Sequence, residues 1–504
     1  MTKAKVLFDK NYIVGHVDRR LMGSFVEHLR NCLYEGIYDP THPEADAQGF
    51  RNDVKALIKE LGITAIRYPG GNFVSGYNWK DGIGPKEQRP RRRELAWYTI
   101  ETNQVGVNEF ATYLKELDIE LIESVNLGTG TPMEAGELVD YCNGEGGSYW
   151  SDLRKQHGIK EPHGIEYWCL GNEMDGEWQI NMLTAQEYAM KAKETAKIMK
   201  WMDPKIKLIA CGTCTNEVGH KTFGEWDRIV LEECYDYIDY LSLHRYFNYR
   251  QNIHLAYPMH DDMSDIPFIF RDLQNYLDTI ISACDFVKGK NRKKKSIHIS
   301  FDEWGVITPN EAVSGTSNFA QFEFLDAIIY GGLLCTFINN ADRVKIACQS
   351  LLVNVGGMIS ALPGKKALRQ AVFYPFRDVS RFARGVALRP VAKLPKIKTN
   401  HHDMQESLIM AATHDEEKGN LHVFVMNCDL QEDCELTLSF GSFGKMEGAG
   451  WSILYRDDIH LVNSFDNEAA VISETADLWN PEHGSIVVNI KKHSWNVLSF
   501  NVQS

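Results

Sequence analysis

The chain has 504 residues, 44% of them hydrophobic, and this length and composition predict a globular protein of two or three domains. Its formal net charge of −14 argues against nucleic acid or an anionic membrane surface as the main partner, because both attract cationic surfaces. The N-terminal residues do not resemble a secretory signal and no apolar run is long enough to span a bilayer, so we expect a cytoplasmic protein.

The eleven cysteines are odd in number and scattered through apolar stretches, which is typical of reduced, buried thiols rather than a disulfide scaffold. One pair, in "CGTC" at residues 211–214, has the spacing of a redox motif. No neighbouring cysteine or histidine cluster in the sequence completes a metal site. We therefore interpret the spacing as coincidence and expect no metal.

From about residue 20 to 352, short apolar or β-branched runs alternate with longer stretches of helical periodicity. Helical candidates include residues 50–62, 185–202 and 319–338. Eight strands each followed by a helix predict an α/β fold of the (β/α)8, or TIM barrel, type. A doubly wound open sheet is the alternative, but it normally carries an early glycine-rich phosphate loop, which this sequence lacks. The eight predicted strands are residues 23–29, 63–71, 119–128, 165–173, 207–212, 240–247, 296–305 and 343–352.

After about residue 385 the sequence changes to short strands separated by turn residues, which predicts an all-β sandwich of jelly-roll-like type. The opening "AKVLFDKNYIVG" at 4–15 is also strand-like, and we expect it to pair into the same sandwich. The predicted domains are a barrel of residues 18–384 and a sandwich of residues 1–17 plus 385–504.

Polar side chains cluster where the predicted barrel strands end. Burying that many unpaired polar groups would be costly, so we predict one shared, solvated site at the C-terminal end of the barrel, where catalytic groups of this fold lie. The residues are Glu27, His28, Arg67, Asn72, Asn126, Asn172, Glu173, His244, Tyr246, Asp302 and Glu303.

Glu173 and Glu303 end the fourth and seventh predicted strands, which face each other across the barrel mouth. Two carboxyl groups that flank one bond are the catalytic groups of glycoside hydrolysis. Structural salt bridges or another barrel chemistry remain alternatives. We interpret Asp175 and Glu177, which follow Glu173, as loop residues that face solvent or cap a helix.

Longer motifs carry a resemblance to a known family. In chain order, the sequence resembles the family-51 glycoside hydrolases, the α-L-arabinofuranosidases, along nearly its whole length. The resemblance implies a retaining mechanism with Glu173 as general acid/base and Glu303 as nucleophile. The motifs are "MGSFVEHL", "IRYPGGNFVSGYNW", "GPKEQRPRR", "WCLGNEMDG", "YLSLHRYF", "HISFDEWG" and "ADRVKIAC".

The same resemblance implies roles for further site residues. Glu27, Asn72, Asn172 and Tyr246 correspond to residues that bind the sugar, and Arg67 together with Tyr246 corresponds to residues that support the nucleophile. Trp97 corresponds to an aromatic residue that borders the pocket, and it is either sugar-facing or merely packed.

The sequence departs from the family pattern at three places. Relatives usually carry a sugar-contacting Gln where this chain has Leu351, and the nearest amide is Gln349, which on a strand would share the face of Leu351. The segment after the nucleophile, residues 305–322, is short and lacks Trp. Arg30 and Glu35 stand where small residues are usual. Gln349 and Leu351 are therefore candidate pocket-wall residues. The sequence does not identify which residues form the outer, leaving-group subsites.

The expected function is an exo-acting α-L-arabinofuranosidase that trims arabinofuranose-containing oligosaccharides without a metal or organic cofactor. The family implies a homo-oligomer, commonly a hexamer. A galactofuranosidase, a xylosidase, or a carbohydrate-binding protein with an inactive barrel are the alternatives.

Overall fold

A computed structural model describes residues 1–217, 219–247, 263–308 and 320–503. Eight parallel strands close into a barrel in which each strand pairs with its neighbours in sequence, as the alternating pattern predicts. The open-sheet alternative is therefore wrong. The barrel strands are Gly23–Phe25, Ala65–Tyr68, Glu120–Val125, Tyr167–Leu170, Lys207–Cys211, Tyr240–Phe247, His298–Val306 and Val344–Ser350.

The described part of the chain contains nine α-helices, most of which lie between successive barrel strands. Ala185–Met202 shows why such a helix starts where it does: Thr184 Oγ1 accepts from the Glu187 backbone N–H at 3.4 Å, and Glu187 Oε2 accepts from the Thr184 N–H at 2.9 Å. The helices are Asn52–Leu61, Val107–Glu116, Pro132–Asn143, Tyr149–Gln156, Ala185–Met202, Glu225–Cys234, Ile266–Lys290, Phe324–Ile338 and Phe373–Phe382.

The three helical candidates named from the sequence are present, although the third begins at Phe324 rather than at residue 319. Every residue of Phe324–Ile338 is buried, since this helix contacts strands of the sandwich on one side and barrel strands on the other. A Cβ at Gly332 would collide with Phe270 of a barrel helix and Met426 of the sandwich. This close approach explains the glycine there.

The C-terminal residues form two sheets that pack face to face around a shared apolar core, as predicted. The N-terminal strand Thr2–Phe8 joins the smaller sheet by pairing in parallel with Cys434–Phe440. The smaller sheet has the order Val391–Lys393, Thr2–Phe8, Cys434–Phe440 and Ser485–Ile490. The larger sheet has the order Ile13–His16, Val386–Leu388, Leu408–Asp415, Asn420–Asn427, Ser494–Val502, Met446–Leu454 and Glu474–Ala476.

Short elements complete the described chain. Three two-stranded pairs are Arg92–Arg93 with Ile100–Glu101, Ile359–Ser360 with Leu368–Arg369, and Lys396–Ile397 with Gln405–Glu406. Short 3-10 helices are Arg19–Met22, Asn72–Gly76, Trp79–Gly82, Lys86–Gln88 and Met263–Asp265. All eleven cysteines are buried free thiols. Among the helices of the described ranges, none combines the length and apolar character that crossing a membrane requires.

Candidate active site

The C-terminal ends of the barrel strands surround a cavity of about 380 Å³. Five of the eleven polar residues predicted for the site line this cavity, because they follow or end parallel strands, whose carboxyl ends all point the same way. The predicted residues that line it are Glu27, Asn72, Trp97, Glu173, Tyr246, Glu303 and Leu351.

Glu173 and Glu303 face each other across the cavity. Glu173 lies three residues after the strand Tyr167–Leu170, and Glu303 lies within the strand His298–Val306. One carboxylate oxygen of Glu173 lies within 4.8 Å of one of Glu303. Carboxyl groups about 5–5.5 Å apart are typical of retaining glycosidases, whereas inverting enzymes need about 6.5–9.5 Å for a water.

Both carboxylate oxygens of Glu303 accept hydrogen bonds. Arg67 Nη1 donates to Oε1 at 2.6 Å and the Tyr246 hydroxyl donates to Oε2 at 2.7 Å. The Tyr246 oxygen is itself 2.6 Å from the Ser350 hydroxyl. The carboxylate is thus held in one orientation next to a buried cation, as an attacking nucleophile requires.

Glu173 has a different environment. Its Oε1 lies 2.9 Å from His244 Nδ1, and its Oε2 accepts a hydrogen bond from Trp178 Nε1 at 2.6 Å. Burial raises the pKa of Glu173 and the charge of Glu303 adds to this, although the hydrogen bond from His244 opposes it. A raised carboxyl pKa is what a general acid needs at neutral pH.

The backbone at Glu173 is strained, with φ of +43° in the left-handed region that non-glycine residues rarely adopt. Such conformations cost on the order of 1–3 kcal/mol and persist where surrounding contacts impose them. Here the strand emerges through Gly171 and Asn172, and the turn directs the Glu173 side chain back over the cavity.

His244 connects the two carboxylates. Besides Glu173, its Nδ1 lies 3.7 Å from Glu303 Oε1, and its Nε2 lies 3.2 Å from Asp302 Oδ1. Burial favours the neutral ring, but the charge of Glu303 and the hydrogen bonds with Asp302 and Glu173 outweigh it and raise the pKa of His244 to about 10. An imidazolium therefore lies beneath the pair at neutral pH.

Arg67 and Asp302 form the floor of the site. Arg67 is 1% exposed, and its Nε lies 3.5 Å from Asp302 Oδ2 while its Nη2 donates to Asn172 Oδ1 at 2.7 Å. Burial alone would raise the pKa of Asp302, but Arg67 and His244 outweigh it and lower that pKa. The two buried charges are paired, which is the condition for keeping them away from water.

The proposed sugar-binding residues lie on the opposite wall. Glu27 Oε1 accepts from the Phe73 backbone N–H at 2.8 Å and from Trp97 Nε1 at 3.0 Å. Burial raises the pKa of Glu27 to about 8. A Cβ at Gly71 would collide with this carboxylate, so the glycine in "PGGN" makes room for it.

Asn72 and Asn172 are joined by a hydrogen bond of 3.2 Å from Asn172 Nδ2 to Asn72 Oδ1. Asn72 lines the cavity, whereas Asn172 is 1% exposed and lies behind it, between Arg67 and Asn72. Trp97 borders the cavity, and its ring nitrogen donates a hydrogen bond to Glu27. It is therefore both packed and adjacent to the ligand space.

Gln349 does not line the cavity, which corrects its assignment as a pocket-wall residue. Its side-chain amide donates to the Tyr330 hydroxyl at 3.0 Å and to the Gly356 carbonyl at 2.8 Å, and the residue is fully buried. The strand ends at Ser350, so the alternation of faces does not continue to Leu351. Leu351 is a cavity residue, and it presents an apolar surface there.

Other predicted strand-end residues lie away from the cavity. His28 is buried between Glu101 and Tyr68, each 2.8 Å from a ring nitrogen. Asn126 bonds the Thr129 hydroxyl at 2.9 Å in a neighbouring loop.

The residues at which the sequence departs from the family pattern also lie partly at the cavity and partly away from it. Arg30 lines the cavity, Glu35 does not, and residues 309–319 of the segment after the nucleophile lie outside the described residues. Glu177 is exposed as expected, but Asp175 is buried.

Trp178 is the functional contact that sequence reasoning missed. It lies five residues after Glu173, its ring nitrogen donates to the Glu173 carboxylate, and 56% of the residue is exposed. The signal available was a tryptophan in a polar loop directly after the strand end, where an apolar core contact is not expected. Ser350, which contacts Tyr246, carried no sequence signal.

Comparison with known proteins places this geometry in a family context. Residues 57–265 match the family model described as the alpha-L-arabinofuranosidase 1 domain, and residues 302–494 match the alpha-L-arabinofuranosidase C-terminal domain. The chain is 43% identical to the intracellular exo-α-(1→5)-L-arabinofuranosidase 1 of Bacillus subtilis, with 100% of both chains covered. It is 36% identical to an exo-α-(1→6)-L-arabinofuranosidase of Bifidobacterium longum, over 99% of this chain and 97% of that one.

Solved structures give the same result. A family 51 α-L-arabinofuranosidase from Bifidobacterium longum superposes with a TM-score of 0.93 at 35% identity, covering 99% of this chain and 100% of that chain. An α-L-arabinofuranosidase from Thermotoga maritima, solved as an arabinose complex, gives a TM-score of 0.87 at 30% identity, with 99% of both chains covered. The likeness therefore extends over both the barrel and the sandwich.

Proposed function

Because this chain belongs to the family-51 α-L-arabinofuranosidases, we propose that it removes terminal α-L-arabinofuranosyl residues from arabino-oligosaccharides with retention of anomeric configuration. The observation that carries the mechanism is the separation of less than 4.8 Å between carboxylate oxygens of Glu173 and Glu303. This leaves no room for a water between the sugar and the second carboxylate, so that carboxylate attacks directly.

In the first step, the Glu303 carboxylate attacks the anomeric carbon and the glycosidic C–O bond breaks. Glu173 gives its proton to the departing oxygen, and the raised pKa of Glu173 keeps that proton available. The hydrogen bonds from Arg67 and Tyr246 hold the nucleophile on its line of attack.

In the second step, Glu173 is the base. Forming the glycosyl ester removes the negative charge of Glu303, and with it one cause of the raised pKa of Glu173. The ionised Glu173, hydrogen-bonded by His244 and Trp178, takes a proton from water, which attacks the anomeric carbon and releases Glu303. This chemistry needs only the residues of the chain.

Glu27 and Asn72, with Tyr246 at the base of the pocket, are the proposed contacts to the sugar hydroxyls. Asn172 acts through Arg67 and Asn72 rather than from the cavity surface. The cavity of about 380 Å³ lies at the small end of ligand pockets, which are about 300–1,000 Å³. A pocket of this size favours one terminal residue over the interior of a polymer.

The test is a panel of 4-nitrophenyl glycosides: α-L-arabinofuranoside, β-D-galactofuranoside and β-D-xylopyranoside. We expect the arabinofuranoside to be hydrolysed fastest and Glu303→Ala to lose turnover, while Glu177→Ala, which changes an exposed acid in the same region, keeps the wild-type rate. Proton NMR of the first product then reports the anomer. An initial β-anomer, or wild-type turnover by Glu303→Ala, would contradict the mechanism.

Linkage preference is addressed by comparing (1→5)- and (1→6)-linked arabinobiose, since relatives are named for each linkage. The galactofuranosidase and xylosidase alternatives have no support among the names of these relatives. An inactive, purely sugar-binding barrel is disfavoured by the presence of both carboxylates in a reactive arrangement.

We further infer a cytoplasmic location, a homohexamer, and a division into a barrel of residues 18–384 and a sandwich of residues 1–17 plus 385–504. The compartment is supported by relatives named as intracellular, and the hexamer by the family resemblance. The division is supported by pairing of Ile13–His16 with Val386–Leu388. Light scattering should give six times the chain mass of 57.4 kDa, and a monomer would contradict the assembly.

A further inference from the structure

We propose that Asp175, Cys214 and His220 form a binding site for a thiophilic divalent cation of the zinc class, distinct from the catalytic carboxylates. The three residues come from loops after the fourth and fifth barrel strands. One ligand atom from each, a carboxylate oxygen, a thiol sulfur and an imidazole nitrogen, lies within 4.8 Å of the other two.

The spacing of these atoms is close to that of a coordination sphere. His220 Nε2 lies 2.6 Å from Asp175 Oδ2 and 4.0 Å from Cys214 Sγ. Zinc bonds of about 2.0–2.3 Å place tetrahedral ligands roughly 3.2–3.7 Å apart. Small side-chain rotations that open the first distance and close the second are enough to admit the ion.

The donor set is selective. A thiolate and an imidazole are ligands of zinc and cobalt rather than of magnesium or calcium, which take oxygen ligands. Three protein ligands leave a fourth position for water. His220 has 14% of its side chain exposed, whereas the side chain of Asp175 is fully buried, so the ion has a route in from the histidine side.

The carboxylate of Asp175 gives a second, independent reason to expect a bound cation at this cluster. Its Oδ1 is buried and has no hydrogen-bond partner among the residues that the structure describes, although buried carboxylate oxygens are normally satisfied. Besides its contact with His220, Oδ2 accepts from the Cys214 backbone N–H at 3.2 Å and from the Thr222 hydroxyl at 3.4 Å. A cation bound by this carboxylate would supply the missing partner.

The cysteine pair of "CGTC" does not act as a redox pair in this arrangement. Cys211 ends a barrel strand with its Sγ 3.5 Å from the Leu170 carbonyl oxygen, whereas Cys214 lies with Asp175 and His220.

A second cluster, Glu173 with His244 and Glu303, also has three ligand atoms within 4.8 Å. It is a poor cation site because the cation Arg67 already pairs with Glu303 at 2.6 Å. It also contains no sulfur, which makes the two clusters distinguishable by spectroscopy.

The experiment is a Co²⁺ titration of the chelator-treated full-length chain, followed by absorption and calorimetry. We expect one Co²⁺ per chain with a thiolate-to-cobalt charge-transfer band in the near ultraviolet. Cys214→Ala should abolish the band, and Cys284→Ala, which removes a buried thiol of the helix Ile266–Lys290, should leave it unchanged. His220→Gln, which retains an amide donor for Asp175, should weaken binding by roughly 100-fold or more.

Three results would overturn the proposal. They are the absence of Co²⁺ binding by the wild-type chain, a charge-transfer band that persists in Cys214→Ala, and unchanged affinity in His220→Gln. The histidine variant keeps the test decisive if Cys214→Ala does not fold, because it leaves the thiol and the buried carboxylate in place.

Discussion

His244 Nδ1 lies 2.9 Å from Oε1 of Glu173, and with a His244 pKa of about 10 this contact is a charge-assisted hydrogen bond at neutral pH. The imidazolium favours the ionised form of Glu173, whereas burial and the charge of Glu303 favour the protonated form. The acid/base is therefore held between two opposing influences, and the balance sets the pH range of the enzyme.

Replacing His244 with Asn removes the cation from this balance. The pKa of Glu173 then rises further, so the high-pH limb of the kcat/KM profile, where the acid loses its proton, moves to higher pH. We also expect kcat to fall by roughly 10²-fold because both carboxylates lose an orienting partner. His163→Asn, at a half-buried histidine bonded to Asn108, is the control. A shift of the limb to lower pH would contradict the assignment.

Glu173→Ala tests the acid/base role separately from the nucleophile. Without the acid, hydrolysis of substrates with poor leaving groups should fall by about 10²–10⁴-fold, while an aryl arabinofuranoside with a highly acidic phenol still forms the glycosyl ester. Added azide should then accelerate turnover and give an α-arabinofuranosyl azide. Steady-state rates and product NMR check this, and absence of both the acceleration by azide and the azide product would remove Glu173 from the role.

Much of the barrel could be predicted because its strands are short apolar runs bounded by polar residues, and the parallel arrangement fixes which ends converge. That logic predicts that Glu173, Glu303, Arg67 and Tyr246 lie close together, and the structure brings these side chains together. It overestimated strand length, since the first strand ends at Phe25 and the polar residues beyond it lie in the following turn.

The contacts that the sequence did not predict depend on the paths of loops. Trp178, Cys214 and His220 lie in loops whose course depends on tertiary contacts, so no local periodicity reports where their side chains point. The assignment of Gln349 to the pocket wall was wrong for a related reason. Its side-chain amide donates to the Tyr330 hydroxyl in a neighbouring helix, and strand alternation does not predict this partner.

The raised pKa of Glu27 leads to a prediction about the pH dependence of stability rather than about rate. Its pKa rises from 4.5 in the unfolded chain to about 8 in the folded protein. Between these values the unfolded chain loses the proton and the folded protein keeps it, so this contribution to stability is present below pH 4.5 and is lost as pH rises through 8. The free energy of unfolding of wild type relative to Glu27→Gln should therefore fall by several kcal/mol over this window.

Chemical denaturation at several pH values measures that difference. Glu177→Gln, which makes the same change at an exposed residue, serves as the matched control. If wild type instead gains stability relative to Glu27→Gln as pH rises, Glu27 is ionised in the folded protein and its contacts with Phe73 and Trp97 hold a carboxylate.

Leu351→Gln tests whether the amide usual in relatives can be restored. Leu351 faces the cavity, so a Gln there gains access to the sugar hydroxyls, and one added hydrogen bond of about 0.5–1.5 kcal/mol should raise kcat/KM for the aryl arabinofuranoside by up to roughly 10-fold. Leu351→Met keeps the volume without the amide and should leave kcat/KM near wild type. A fall in kcat/KM specific to Leu351→Gln would indicate that this pocket has adapted to an apolar contact at that position.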